Sequence, residues 1–266
     1  MLRDGNPPER SSVDVSAIGE WAVSPGTGTA DRHLESQVLV YSEQSPQTSG
    51  HWLRIFGKRK SFITQFLSFQ AGDAILEIGC HAGAFLAEFA GQGRRLVGID
   101  IAPKLIGIAR EQFGIEAYCS DVTRGLEFAD GVFRAVIMTE VIEHVIDTDS
   151  VLNEVKRVLK PGGILLISTP NICSLKNRLL LLAGRYPQGP EYRTGGAGHV
   201  RVYSSRALVG QLQEHGFDIR LCRGLNFLPD SLLRGAPFLE KWDSYFATLL
   251  PNLCSSTHIV AQKRAD

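Results

Sequence analysis

The sequence lacks an excess of charge of either sign, a long apolar run and any close pair of cysteines. Lysine and arginine together number 28 in the 266 residues, and aspartate and glutamate also number 28. Since nucleic acids attract basic surfaces, this balance argues against DNA and RNA as partners. No apolar run approaches the roughly 20 residues of a transmembrane helix, and we expect no membrane span. The first residues also lack the apolar centre of a signal peptide.

The cysteines exclude a disulfide framework. The five are Cys80, Cys119, Cys173, Cys222 and Cys254. An odd number of scattered cysteines, with no Cys-x-x-Cys pair, is typical of reduced thiols. We therefore expect a cytoplasmic protein.

Acidic residues mark the ends of four apolar runs. They are Glu77, Asp100, Asp121 and Glu140, each about twenty residues after the one before. This spacing is close to one β-α unit, and in a parallel sheet the carboxyl ends of the strands meet at one edge. We therefore expect the four side chains to converge on one pocket. They suit a ligand with a ribose, an adenine amino group and a cation, and they suit a pyrophosphate poorly.

Two other nucleotide sites are excluded by their missing glycines. The dinucleotide fingerprint Gly-x-Gly-x-x-Gly fails after Gly79, because His81 and Ala84 occupy the next two glycine positions. A phosphate-binding P-loop is absent as well, since the sequence contains no Gly-Lys-Ser or Gly-Lys-Thr.

Strand-like and helical segments alternate along most of the chain. The expected strands are 74–78, 96–100, 115–119, 134–139, 164–168, 217–223 and 257–262. The expected helices are an amphipathic one within 50–69, then 83–91, 103–113, 149–159, 175–182 and 204–215. This alternation predicts an α/β fold, with a parallel sheet between two layers of helices.

Three motifs carry a resemblance to a known family. They read Glu77-Ile78-Gly79-Cys80-His81-Ala82-Gly83, Glu140-Val141-Ile142-Glu143-His144 and Leu159-Lys160-Pro161-Gly162-Gly163. Through them, residues 50–266 resemble the class I S-adenosylmethionine-dependent methyltransferases, especially the group that includes the ubiquinone-pathway O-methyltransferases. The resemblance implies a doubly wound, Rossmann-like fold with a seven-stranded mixed sheet, lid insertions and S-adenosyl-L-methionine as cofactor.

The resemblance also assigns the cofactor contacts. Glu77 would meet the amino group of the methionine part, Asp100 would accept both ribose hydroxyls, and Asp121 with the Val122 N–H would hold the adenine edge. Glycines in the first turn would let the backbone pass close under the ligand. His81 replaces a glycine of the family, and it is expected either as a pocket wall or as a surface histidine. The expected contacts are Glu77, Gly79, His81, Gly83, Asp100, Ile101, Asp121, Val122 and Glu140.

The acceptor end is expected around the second motif. Its two glutamates and its histidine stand at i, i+3 and i+4 and would share one face of a helix or tight turn. With a later histidine they would suit Mg²⁺, Mn²⁺ or Zn²⁺, and similar RNA 2′-O-methyltransferases place such residues around a metal. A histidine general base and a purely structural role stay open. Candidate catalytic residues are Glu143, His144 and His199, and candidate metal ligands are Glu140, Glu143, His144 and His199.

The remaining segments complete the expected organisation. Residues 1–49 are predicted to be largely disordered, and residues 50–266 to form the methyltransferase domain. A lid insertion is expected at 171–202 and a second insertion at 224–254. The basic run Lys58-Arg59-Lys60 is expected to be a solvated helix face. The aromatic stretch 238–246 is expected in the core or at the contact of a homodimer.

The expected activity is methyl transfer from S-adenosylmethionine to a hydroxyl or amine of a small-molecule acceptor. Two alternatives remain at this point. One is a metal-dependent RNA 2′-O-methyltransferase, and the other is a non-catalytic binding protein that keeps the fold.

Overall fold

The computed structural model describes Gln37, residues 50–91, 93–187, 198–228, Leu233 and residues 237–265. Seven strands lie in this part of the chain: β1 Ala74–Ile78, β2 Arg95–Asp100, β3 Glu116–Cys119, β4 Phe133–Thr139, β5 Leu159–Pro170, β6 Phe217–Leu225 and β7 Ser256–Lys263. The α-helices are α1 Gly50–Thr64, α2 Ala84–Ala87, α3 Pro103–Phe113, α4 Thr148–Val158, α5 Leu175–Leu182, α6 Ser205–Glu214 and α7 Glu240–Leu249.

The strands form one mixed sheet in the order β3-β2-β1-β4-β5-β7-β6. Neighbouring strands from β3 to β5 pair in parallel, whereas β7 runs antiparallel to both β5 and β6. This arrangement confirms the predicted α/β fold with a seven-stranded mixed sheet. It also places the carboxyl ends of β1, β2 and β4 side by side.

Two hydrophobic cores lie on opposite faces of the sheet. Successive strand residues alternate between them, so that Leu76 contributes to one core and Ile75 to the other. The first core contains apolar residues of α4 and α6, and the second contains residues of α1, α2 and α3. The α1 residues in the second core include Phe56, Phe62 and Ile63. Helix α1 is therefore fixed against the sheet beside its carboxyl edge.

The largest differences between the predicted and the observed elements lie at three places. The predicted helix 83–91 is only the short α2, because the backbone continues in tight turns with the Phe89 N–H bonded to the Leu86 carbonyl. The helix within 50–69 ends at Thr64. Strand β5 begins at Leu159, since a shift in its register against β4 accommodates Pro161 within the strand.

Parts of the predicted appendages lie outside the described residues. That applies to residues 1–49 apart from Gln37, and to 188–197 within the expected lid. The described part of the second insertion contains α7, which had not been predicted as a separate helix. No helix in the described part of the chain combines the length and the apolar character needed to span a bilayer.

Candidate functional site

A cavity of about 690 Å³ opens at the carboxyl edge of the sheet. Its volume is in the usual range for small-molecule sites. The residues predicted from sequence that line it are Glu77, Gly79, His81, Asp100, Ile101, Asp121, Val122, Glu140, Glu143, His144 and His199. The structure therefore gathers all but one of the predicted site residues around a single space.

Gly83 is the predicted residue that does not line the cavity. It begins α2 with a φ of 80°, and a Cβ there would lie 2.6 Å from Cδ1 of Ile115 and 3.1 Å from Cβ of Ala109. Glycine is therefore required by the packing of α2 against α3. The geometry gives no support to the predicted cofactor contact of Gly83.

The turn after β1 holds its backbone in a left-handed conformation. Gly79 has a φ of 71°, and a side chain there would overlap Val141. His81 has a φ of 52°, which is uncommon for a residue other than glycine. Its N–H donates a 2.8 Å hydrogen bond to Oδ2 of Asp100, and partial burial lowers the pKa of the imidazole. His81 is a wall of the cavity, one of the two roles expected for it.

Backbone donors orient the carboxylate of Asp100. Oδ2 accepts from the His81 N–H and Oδ1 accepts from the Ala102 N–H at 2.9 Å. Burial raises the pKa of Asp100, and these backbone hydrogen bonds oppose that rise. Because each carboxylate oxygen has two lone pairs, both oxygens can still accept a hydrogen bond from a ligand.

Asp121 lines the cavity and caps the 3₁₀-helix Val122–Arg124. Its Oδ1 accepts from the Thr123 N–H at 2.9 Å and from the Thr123 hydroxyl at 2.7 Å. Nε of Arg124 lies 3.6 Å from Oδ2. These contacts fix the orientation of the Asp121 carboxylate.

Arg59 is a site residue that the sequence analysis missed. It is 5% exposed and lines the cavity, so the predicted solvated face of the basic run is wrong at this position. Its guanidinium donates to Oγ1 of Thr139 and to Oε1 of Glu140, both at 3.2 Å. The available signal was helical spacing, since Arg59 follows Phe56 by three residues on the apolar side of α1.

Glu140 is held away from the group of possible metal ligands. Its φ is 58°, and its Oε1 accepts from Arg59 and, at 2.6 Å, from the Ser168 hydroxyl. The 3₁₀-helix Ile142–His144 begins only two residues later, so the motif does not form one helical face. The predicted role of Glu140 as a metal ligand is therefore not supported. Glu140 does line the cavity.

Glu77 lies under the first turn with an incompletely satisfied carboxylate. Its Oε2 is buried and has no hydrogen-bond partner in the described residues. Burial raises the pKa of Glu77 to about 8, and the positive charge of Arg59 opposes that rise. A cationic ligand in the cavity would favour the ionised form.

Glu143, His144 and His199 form a cluster in the lining of the cavity. One possible ligand atom from each lies within 4.8 Å of the other two, and the histidine ring centroids are 4.9 Å apart. Glu143 is 1% exposed, and neither of its carboxylate oxygens has a hydrogen bond of standard geometry to a described residue. Burial raises the pKa of Glu143, and the neighbouring charge of Glu140 raises it further.

Backbone hydrogen bonds bring His199 to this cluster. The N–H groups of Val200 and Arg201 both donate to the Glu143 carbonyl, at 2.9 and 3.1 Å. The Arg201 guanidinium also donates to the Ile146 carbonyl. The end of the expected lid segment is thus attached to the loop after β4, which explains why two histidines 55 residues apart share one site.

The chain is similar in sequence to known methyltransferases. A relative from Xanthomonas oryzae pv. oryzae, named ubiquinone biosynthesis O-methyltransferase, is 33% identical over 122 residues, which cover 44% of this chain and 51% of the relative. The chain thus spans about half the length of that relative. A protein of the same name from Colwellia psychrerythraea is 26% identical over 187 residues, covering 64% of this chain and 75% of the relative.

The fold also has counterparts among solved structures. An S-adenosylmethionine-dependent methyltransferase from Mesorhizobium loti superposes with a TM-score of 0.56 at 17% identity, covering 81% of this chain and 99% of that one. A family model described as a methyltransferase domain matches residues 51–221, which include the whole of the cavity edge from β1 to β5. The chain therefore belongs to the class I S-adenosylmethionine-dependent methyltransferases.

Proposed function

We propose that this chain binds S-adenosylmethionine in the cavity and transfers its methyl group to a hydroxyl or amine of a small-molecule acceptor. The observation that carries the proposal is the convergence of Glu77, Asp100 and Asp121 on one cavity at the carboxyl edge of the sheet. The names of the curated relatives support O-methylation. The bound cofactor supplies a methyl group already activated on a sulfonium, so the protein chiefly has to position two molecules and exclude water.

Each acid has a part in holding the cofactor. Asp100 presents two oriented oxygens for the ribose hydroxyls, and Asp121 with the Val122 N–H faces the adenine. Glu77 lies beneath the turn, where its unsatisfied oxygen can accept from the methionine ammonium through the turn or a bound water. Arg59 opposes the accumulation of negative charge, since it lies among the carboxylates of Glu77, Glu140 and Glu143.

The cluster of Glu143, His144 and His199 suits the acceptor end. A neutral imidazole can accept the proton of an attacking hydroxyl, and histidine titrates near neutral pH. Glu143 can take a hydrogen bond from the acceptor or from a histidine ring, because its oxygens lack standard partners among the described residues. An amine acceptor would need less help than a hydroxyl, because an amine is already a good nucleophile.

A divalent metal at the same cluster is a second candidate feature. One carboxylate and two imidazoles within 4.8 Å fit Zn²⁺ or Mn²⁺ as a three-ligand site with open positions. The burial of Glu143 supports this interpretation, because neither of its oxygens has a hydrogen bond of standard geometry to a described residue and an uncompensated charge is costly to bury. Such a metal would bind an acceptor oxygen and lower its pKa.

The RNA alternative has less support. Phosphate-backbone binding needs a basic surface, whereas this chain has balanced charge and its cavity is lined by five buried or half-buried carboxylates, those of Glu77, Asp100, Asp121, Glu140 and Glu143.

Calorimetry with S-adenosylhomocysteine tests the proposed cofactor site. We expect saturable binding by the wild-type chain and at least about tenfold weaker binding by Asp100→Ala, because two charge-assisted hydrogen bonds to the ribose are lost. Asp218→Ala is the control, since Asp218 is an exposed acid that pairs with Arg264 away from the cavity. Equal binding by both variants would contradict the proposal.

Mass spectrometry then tests the transfer. Phenols, catechols and amines are offered with S-adenosylmethionine, and the expected result is a gain of one methyl group. Binding without transfer to any of them would favour the non-catalytic alternative.

A further inference from the structure

Gln37 reaches the acceptor end of the cavity from a distant part of the chain. It is 6% exposed and lines the cavity. Its Nε2 donates a 3.3 Å hydrogen bond to the carbonyl oxygen of His144, 107 residues further along the sequence. The sequence predicts no role for Gln37, because this residue lies within the stretch 1–49, which is expected to be largely disordered.

The carbonyl that Gln37 contacts stands at the end of a short helix. His144 is the last residue of the 3₁₀-helix, and carbonyls at a helix end need partners from elsewhere. The carbonyl of Glu143 is bonded to two N–H groups of the 198–202 segment, and that of Ile146 to the Arg201 guanidinium. Gln37 supplies the donor for a carbonyl between these two. The main-chain carbonyls of Glu143, His144 and Ile146 are thus bonded either to Gln37 or to the 198–202 segment.

We propose that Gln37 is a positioning residue for the acceptor end: it fixes the main chain of His144 and so sets where its imidazole lies relative to His199 and Glu143. The proposal rests on the proposed function, since it assigns Gln37 to the half of the cavity where the acceptor would lie. It makes Gln37 part of the site, although this residue lies outside residues 51–221, which the family model matches. Gln37 itself needs no contact with the reacting atoms.

Gln37→Met is the variant that tests this role. Methionine has nearly the same length and shape as glutamine but cannot donate a hydrogen bond. Gln65→Met is the matched control, because Gln65, an exposed residue just after α1, makes the same kind of hydrogen bond, from Nε2 to the Ser61 carbonyl at 2.9 Å. Both variants are made in the full chain.

The first measurement uses nitrogen NMR of the histidine rings. The signals of His144 and His199 are assigned with His144→Gln and His199→Gln, and His215, at the C-terminal end of α6, serves as an internal reference. Gln37→Met should displace the His144 and His199 signals and leave that of His215 in place, whereas Gln65→Met should displace none of them. Unchanged His144 and His199 signals in Gln37→Met would overturn the proposal.

The second measurement is the affinity for S-adenosylhomocysteine. We expect Gln37→Met to bind it within about twofold of the wild type, since only the acceptor end is altered. A loss of about tenfold or more would place Gln37 at the cofactor end and would also overturn the proposal. If the wild-type chain does not bind this compound, the proposed function fails, but the NMR comparison still decides on Gln37.

With an acceptor from the methyl-gain screen, kinetics give a third criterion. Gln37→Met should lower kcat about tenfold and leave the KM for S-adenosylmethionine unchanged, because misplacing a reacting group affects the transfer step. A raised KM for S-adenosylmethionine at unchanged kcat would contradict a positioning role.

Discussion

Nη2 of Arg59 lies 3.2 Å from Oε1 of Glu140, and this ion pair joins α1 to the carboxyl end of β4. The Arg59 side chain is 7% exposed and that of Glu140 is 34% exposed. Burial lowers the pKa of Arg59, while Glu140, Glu77 and Glu143 oppose that change. Arg59 is therefore a buried cation among acids, at the point where the N-terminal helix meets the cavity.

Replacing Arg59 should destabilise the protein strongly. Arg59→Met keeps most of the packing but leaves buried carboxylates without their cation, and we expect a loss of about 3 kcal/mol in the free energy of unfolding. Lys60→Met is the control. It removes an ion pair to Glu88 on the surface, where such a pair contributes about 0–1 kcal/mol. Urea denaturation measures both, and equal losses would contradict the buried role of Arg59.

Glu77 should make the stability of the protein depend on pH. Its pKa is about 8 in the folded chain, against an ordinary value of 4.5. Between these values the folded state binds more protons than the unfolded state, so the free energy of unfolding should fall as the pH rises from about 4.5 to about 8. In Glu77→Gln the decline in the free energy of unfolding should be smaller by a few kcal/mol. Urea denaturation at several pH values across that range measures it. A decline of the same size in Glu77→Gln would show that another titrating group causes it.

The same carboxyl should release a proton when a cationic ligand binds. S-adenosylhomocysteine carries an ammonium group, which favours the ionised form of Glu77. We expect proton release at about pH 7, measured by calorimetry in buffers of different ionisation enthalpy, and a smaller release from Glu77→Gln. Unchanged proton release in that variant would show that the proton released on ligand binding does not come from Glu77.

The affinity for a divalent metal should depend on Glu143 and not on Glu140. Glu143→Gln should weaken Zn²⁺ or Co²⁺ binding by at least about tenfold, because it removes a ligand from the cluster with His144 and His199. Glu140→Gln should leave metal affinity within about twofold of the wild type, since Glu140 is paired with Arg59. Titration of the metal-free protein with Co²⁺, followed by absorbance, measures both. Equal weakening would restore Glu140 as a ligand.

Gly83 should matter for packing and not for the ligand. Gly83→Ala places a Cβ 2.6 Å from Ile115 in a left-handed backbone, and we expect a loss of about 2–4 kcal/mol in the free energy of unfolding. Gly72→Ala is the control, because Gly72 has a φ of 83° but open space around it; its expected loss is about 1–2 kcal/mol. Folded Gly83→Ala should still bind S-adenosylhomocysteine, and a selective loss of that binding would indicate a cofactor contact.

The sequence predicts which acids line the cavity, because their positions follow from where each strand ends. Apolar runs that end in acids identify strand ends, and parallel strands bring those ends together. Asp100 and Asp121 therefore line the cavity as predicted. Their main contacts are to backbone groups only one or two residues beyond them or, for Asp100, in the adjoining turn.

The rest of the cavity lining depends on contacts between distant segments of the chain. The sequence predicts this part less well. Arg59 looked solvated because its neighbours are charged, yet its side of α1 faces the core. Glu140 looked like a metal ligand because regular helix geometry was assumed, whereas its left-handed backbone removes it from that face. Gln37 carried no local signal at all, since its partner is 107 residues away.

The position of β7 has a consequence for how the chain is made. Strand β6 pairs only with β7 in this sheet, and β7 follows every other strand in the sequence. During synthesis β6 therefore has no place in the sheet, and β5 keeps an unpaired edge, until residues 256–263 have left the ribosome. A nascent chain arrested before that point would expose this edge to chaperones or to other copies of itself.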